Sequence, residues 1–100
     1  MSDLSLHIPH NLSAEEALGR IKNLLGNLKR DNKDLVENAE ESWEGNTGKF
    51  SFSAKGFDLS GLINVTSSSV DIDAKLPFAL SFFKGKISQV ITGKAKELLS

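Results

Sequence analysis

The residues that could do chemistry in this chain are few. His7 and His10 form an H-x-x-H pair. Two imidazoles at that spacing need a third ligand, such as Asp3 or a distant carboxylate, before they hold a metal. Pro9 lies between them and ends a strand, so the spacing predicts two surface histidines with no common focus and no metal site. Gly45-Asn46-Thr47-Gly48-Lys49-Phe50 has the glycines and lysine of a phosphate loop but the wrong spacing, and Phe50 stands where a magnesium-binding hydroxyl is required. It precedes a strand rather than a helix N-terminus, so it reads as a hairpin turn. Glu40, Glu41, Glu44, Asp71 and Asp73 are the available acids. Asp71 and Asp73 alternate with Val70, Ile72 and Ala74, which points them away from the core and into water, where a carboxylate stays ordinary. There is no G-x-S-x-G elbow, and neither histidine has an evident orienting acid in the sequence. The sequence therefore predicts a non-enzyme with no cofactor.

The aromatic side chains are the remaining candidates: Trp43, Phe50, Phe52, Phe57, Phe78, Phe82 and Phe83. On strands facing a long helix they could line a pocket for an apolar ligand. The simpler reading makes them the core that a small domain must fill densely. Adjacent helical residues point about 100° apart, so Phe82-Phe83 predicts one exposed ring beside Lys84 and Lys86, suited to a hydrophobic or anionic surface.

The elements that position these residues follow from periodicity. Leu4, Leu6 and Ile8 alternate with polar residues, a short strand that Pro9 ends. Ser13 and Glu16 form a capping pattern, after which Leu18, Ile21, Leu25 and Leu28 recur at helical spacing, predicting one amphipathic helix from about Ala14 to Arg30. From Leu35 to Gly48 the chain is acidic, and a strand ending at Trp43 is preferred over a helical extension, because a strong turn, 44–48, and a second strand, Lys49 to Lys55, follow. Phe57 to Val65 and Val70 to Leu76 make two more strands. Pro77 opens a final helix whose stripe is Phe83, Ile87, Val90, Ile91 and Leu98, joined by Phe82 and Leu99. The order β-α-β-β-β-β-α defines an α+β fold, an antiparallel sheet covered by two helices, in a single domain spanning 1–100.

Composition narrows the classes further. Twelve Lys and Arg against thirteen Asp and Glu remove the basic surplus a nucleic-acid binder needs. That balance is a cancellation: 1–48 hold five basic and nine acidic residues, and 49–100 hold seven and four. The absence of Cys excludes thiolate metal sites and disulfides. No apolar run is long enough for a transmembrane segment and no secretory signal is evident, so the expected location is cytoplasmic, with the sequons at Asn11 and Asn64 read as chance.

The ordered residues also resemble a known family. Ile8-Pro9-His10-Asn11-Leu12-Ser13-Ala14-Glu15-Glu16-Ala17 is similar to the "P-H-x-L-S-x-x-E-A" opening of the polyhydroxyalkanoic acid system proteins. Trp43-Glu44-Gly45-Asn46 resembles their "W-E-G-D", with Asn46 in place of the acid. Gly61, Ile63 and Val65 resemble "G-x-I-x-V", Val70, Ile72 and Leu76 "V-x-V-x-x-x-L", and Phe83-Lys84-Gly85-Lys86-Ile87 "F-K-G-x-I". The resemblance implies a TBP-like fold related to helix-grip domains and association with polyhydroxyalkanoate granules, and it carries over no catalytic residue. The resulting expectation is a domain that binds a hydrophobic surface or an apolar acyl-type ligand, with Trp43, Phe50, Phe52, Phe82 and Phe83 as contacts. The alternative is a structural protein acting as a homodimer.

Overall fold

A computed structural model describes residues 2–33, 36–54 and 56–100. Lys55, the expected last residue of a strand, and the side chain of Asp3, named as a third metal ligand, lie outside the described residues. The elements are β1 (Ser2–Pro9), α1 (Ala14–Ile21), α2 (Leu24–Asp31), β2 (Glu37–Glu44), β3 (Thr47–Ala54), β4 (Phe57–Val65), β5 (Ser69–Leu76), a 3-10 turn (Phe78–Phe83) and α3 (Lys84–Leu99). The strands form one antiparallel sheet in the order β1-β5-β4-β3-β2. One face carries Leu4, Ile8, Phe50, Phe52, Ala54, Leu59, Ile63, Val65, Val70, Ile72, Ala74 and Leu76, all buried together with α1, α2 and α3. The expected α+β architecture is the observed one.

Two helical expectations need correction. The single helix over Ala14 to Arg30 is two helices broken at Lys22 and Asn23. The Lys22 amide still reaches Leu18 O at 3.1 Å, but the Asn23 amide turns three residues back to Arg20 O, and the Asn23 side chain bonds Gly19 O at 3.4 Å. Asparagine competes with the helical ladder in this way. The break lets Ala17 and Ile21 of α1, and Leu24, Leu25 and Leu28 of α2, each bury their own stripe. The N-terminal cap of α1 is as expected, with Ser13 Oγ accepting from the Glu16 amide at 3.1 Å. Glu16 does not reach back to complete the box; it pairs instead with Arg20 at 2.9 Å.

The final helix starts later than its pattern suggests. After Pro77 the chain makes the tight turn Phe78–Phe83, closed by Leu80 N–H to Pro77 O at 2.9 Å, and α3 begins only at Lys84. Leu80 is the buried residue of that turn. Three residues per turn aim Leu80 inward and cannot also hold Phe78 and Phe82 against the core.

Candidate functional site: an aromatic end of the sheet

The space between sheet and helices is filled. Leu24, Leu25, Leu28, Phe50, Phe52, Ile63, Ile72 and Ile91 enclose about 10 Å³, room for one water at most. Phe50 and Phe52 stack within that core with centroids 6.1 Å apart and an angle of 16°. The pocket expected from the aromatic strands is therefore not open. Trp43, at the β2–β3 hairpin, is half-buried and packs against the edge of the core. Its ring covers Gly48, where a Cβ would approach it to 2.8 Å. Its Nε1 donates to Glu41 Oε2 at 3.3 Å, and the Lys22 ammonium sits 5.9 Å from the ring centroid. The five expected contact residues thus separate into a core pair, a hairpin tryptophan and the Phe82-Phe83 doublet.

That doublet belongs to a different cluster. Phe78 is 80% exposed, Phe82 92%, Phe57 41% and Phe83 39%. An exposed ring was expected within Phe82-Phe83, and Phe82 is that ring; Phe57 and Phe78, expected in the core, correct that expectation. The register brings them to one end. Ser60 faces Lys75, so continuing the β4–β5 pairing sets Phe57 level with Phe78 just beyond the end of β5. Phe57 also faces Ala54, the last residue of β3. Phe82 follows within the same 3-10 turn, and Lys84 and Lys86 open α3 beside it. Exposed apolar residues scattered singly are ordinary on a monomer surface, whereas several large ones at one end of a sheet point to an interaction face. Phe57 and Phe78 were missed as exposed because both continue an apolar pattern. The available signals were Gly56 before one and Pro77 before the other, each a point where regular pairing stops.

The polar candidates are placed as follows. His7 is exposed, as expected, but it has an acid partner: its Nδ1 meets Asp71 Oδ1 at 2.5 Å across the β1–β5 pair. His10, expected on the surface, is buried. Its Nδ1 accepts from the Leu12 amide and its Nε2 donates to Thr66 O, both at 3.0 Å, so it ties the entry to α1 onto the β4–β5 turn. Among the described residues no three His, Asp or Glu side chains group as a metal site. Asp71 and Asp73 project from the uncovered face, Asp73 accepting from Ser5, as their alternation predicts. Glu40, Glu41 and Glu44 line the edge strand β2. The turn 44–48 is a hairpin, with Gly45 at φ 60°. Between the helices, Lys94 Nζ meets Asp31 Oδ2 at 2.5 Å, and Arg30 Nε meets Asp31 Oδ1 at 3.2 Å. Lys94 first, then Arg30, holds the Asp31 carboxyl below the usual carboxylate range, and Asp31 lifts Lys94 above the usual lysine range.

These features define a class: a small α+β domain in which an antiparallel sheet grips helices around a filled core and presents aromatic rings at one end. The chain belongs to the family described as "Putative polyhydroxyalkanoic acid system protein", whose sequence profile matches residues 4–99. Among solved structures it is similar to Ara h 8.0201, with a TM-score of 0.44, 7% identity, and 98% of this chain and 97% of that one covered. It is also similar to TTHA0849 from Thermus thermophilus, with a TM-score of 0.37, 13% identity, and 98% and 92% covered. No curated protein matches the sequence. Among the described residues no helix is long and apolar enough to cross a membrane.

Proposed function

We propose that this chain acts as a single, non-catalytic domain that attaches to an apolar interface, the polyhydroxyalkanoate granule surface being the one its family points to. A cytoplasmic location goes with this reading. The observation that carries it is the contrast between Phe78 and Phe82, which are 80% and 92% exposed, and an interior void of about 10 Å³. Apolar area is available outside the molecule and not inside it, which favours a surface over an enclosed acyl ligand. Burying a fully exposed ring contributes about 2 kcal/mol, and since Phe57 is already more than half covered, Phe57, Phe78 and Phe82 together offer about 4 kcal/mol before association costs. Lys84 and Lys86 suit an interface that carries negative charge. Self-pairing along the β2 edge is the weaker reading, because Glu37, Glu40, Glu41 and Glu44 line that strand and like charges blunt an open edge.

The test is co-sedimentation with polyhydroxybutyrate particles, read alongside light scattering of the free protein. The expected result is retention of the wild-type chain and a tenfold or greater loss for the double variant Phe78→Ser/Phe82→Ser. Equal retention of both, no retention of the wild type, or a stable dimer dispersed by the same substitutions overturns the reading.

A further inference from the structure

A second feature lies in the groove between α2 and the start of β2. Lys29 and Arg30 stand three and four residues after Gly26, so both flank it on one face of α2, and Lys33 extends that face just past the helix end. Together with Val36 and Glu37 they line an open groove of about 370 Å³. Its floor is Val36, which is buried in the core. Among the described residues its rim carries three cations, Lys29, Arg30 and Lys33, against one acid, Glu37. Among the described residues Lys29 and Lys33 have no ion-pair partner, while Arg30 uses its Nε on Asp31. Gly26 opens the groove. A Cβ built there meets nothing within 4 Å, so the packing of the protein does not require glycine at a helical position where it costs about 1 kcal/mol. A missing side chain lets another molecule approach the backbone.

We propose that this groove binds the anionic end of an amphiphile, specifically an alkyl-chain carboxylate. The ammonium groups of Lys29 and Lys33 hold the carboxylate, and the first methylenes lie over Gly26 and Val36. A bare inorganic anion would gain the charge and leave the apolar floor uncovered. A neutral surfactant would cover the floor and leave the cations unmatched. The groove volume is at the small end of ligand sites, which suits a short chain rather than a bulky cofactor. The site does not depend on the aromatic docking face. Continuing the register past Glu37, which faces Ser53, nonetheless sets Val36 level with Ala54 and Phe57, so the groove lies towards the same end of the sheet.

The experiment is titration of the full chain with sodium octanoate, octyl glucoside and sodium phosphate, followed by amide chemical shifts and calorimetry. Octanoate is expected to saturate with shifts centred on Gly26 and Lys29, and the other two to bind at least tenfold more weakly. Lys29→Ala/Lys33→Ala is expected to weaken octanoate tenfold or more. Gly26→Leu, which favours the helix, is expected to abolish binding while the melting temperature holds or rises, so the loss cannot be ascribed to unfolding. Failure of octanoate to saturate, phosphate binding as tightly as octanoate, or undiminished binding by Gly26→Leu overturns the proposal. Particle retention of Gly26→Leu separates the two sites: this groove can fail while aromatic docking stands, and the reverse.

Discussion

The ring of Phe50 occupies the space that a side chain on Gly61 would need. A Cβ at Gly61 would lie 2.8 Å from Phe50 Cζ, 2.8 Å from Ala74 Cα and 2.2 Å from Asp73 O. Phe50 faces Gly61 across the β3–β4 pair, and Ala74 faces it across β4–β5, so three central strands meet at one glycine. Two of the blocking atoms are backbone and cannot rotate away. Gly61→Ala is expected to destabilise the fold by about 3 kcal/mol, the upper end for overpacking a core. Urea unfolding followed by Trp43 fluorescence measures it. The pair Gly61→Ala/Phe50→Leu is expected to recover only part of the loss, since it relieves the ring and not the backbone contacts.

Most of this frame was legible because its rules are local. Alternation placed Leu59, Ile63, Val70 and Ile72 on one face, and Ser13 marked the start of α1, because side-chain direction follows chain geometry directly. The break at Asn23 was not legible, since Leu18 to Leu28 keeps one period through it. What separates α1 from α2 is how each buries its stripe, a tertiary matter. His10 reads as a surface residue until the β4–β5 turn, far along the sequence, supplies Thr66 O. The candidate site was half legible for a similar reason. Phe82 beside Lys84 raised an exposed ring, but that Phe57 and Phe78 fall at the same end of the sheet follows only once the strand register is known.

The link between α2 and α3 should respond to pH at both extremes. Asp31 is held below the ordinary carboxylate range by Lys94 and Arg30, so its contribution is complete above that range and is lost as pH falls through the lowered value. Lys94 is raised, so its contribution is complete below the ordinary lysine range and is lost as pH climbs through the raised value. Both groups are partly exposed, which makes the effect small and salt-sensitive. Asp31→Asn is expected to flatten the acid side of the curve of melting temperature against pH, and Lys94→Met the alkaline side. Calorimetry across the acid and alkaline extremes, at low and high salt, checks both arms.

His10 joins two distant segments through both ring nitrogens. Replacing it with Phe keeps a planar ring and strands the Leu12 amide and the Thr66 carbonyl, each bonded to it at 3.0 Å. An unpaired buried polar group costs about 1–3 kcal/mol, so His10→Phe is expected to lose about 2 kcal/mol in denaturant unfolding. Amide exchange should quicken at Leu12 first, because that N–H bonds directly to the ring. His7→Phe, on the exposed strand position, is expected to change stability by less than about 0.5 kcal/mol.

The 3-10 turn offers the sharpest contrast between folding and attachment. Leu80 is 0% exposed and anchors the turn, while Phe82, two residues on, is 92% exposed. A buried Leu→Ala change costs about 2–5 kcal/mol through lost burial and the cavity it leaves. An exposed substitution away from any partner stays within about 0.5 kcal/mol. Leu80→Ala is therefore expected to lower the unfolding midpoint markedly and to loosen the start of α3. Phe82→Ser is expected to leave the midpoint in place and to reduce retention on a hydrophobic-interaction column. Denaturant curves and column elution, run on both variants, read the two effects separately. A large midpoint shift for Phe82→Ser would place that ring in the fold rather than on the docking face.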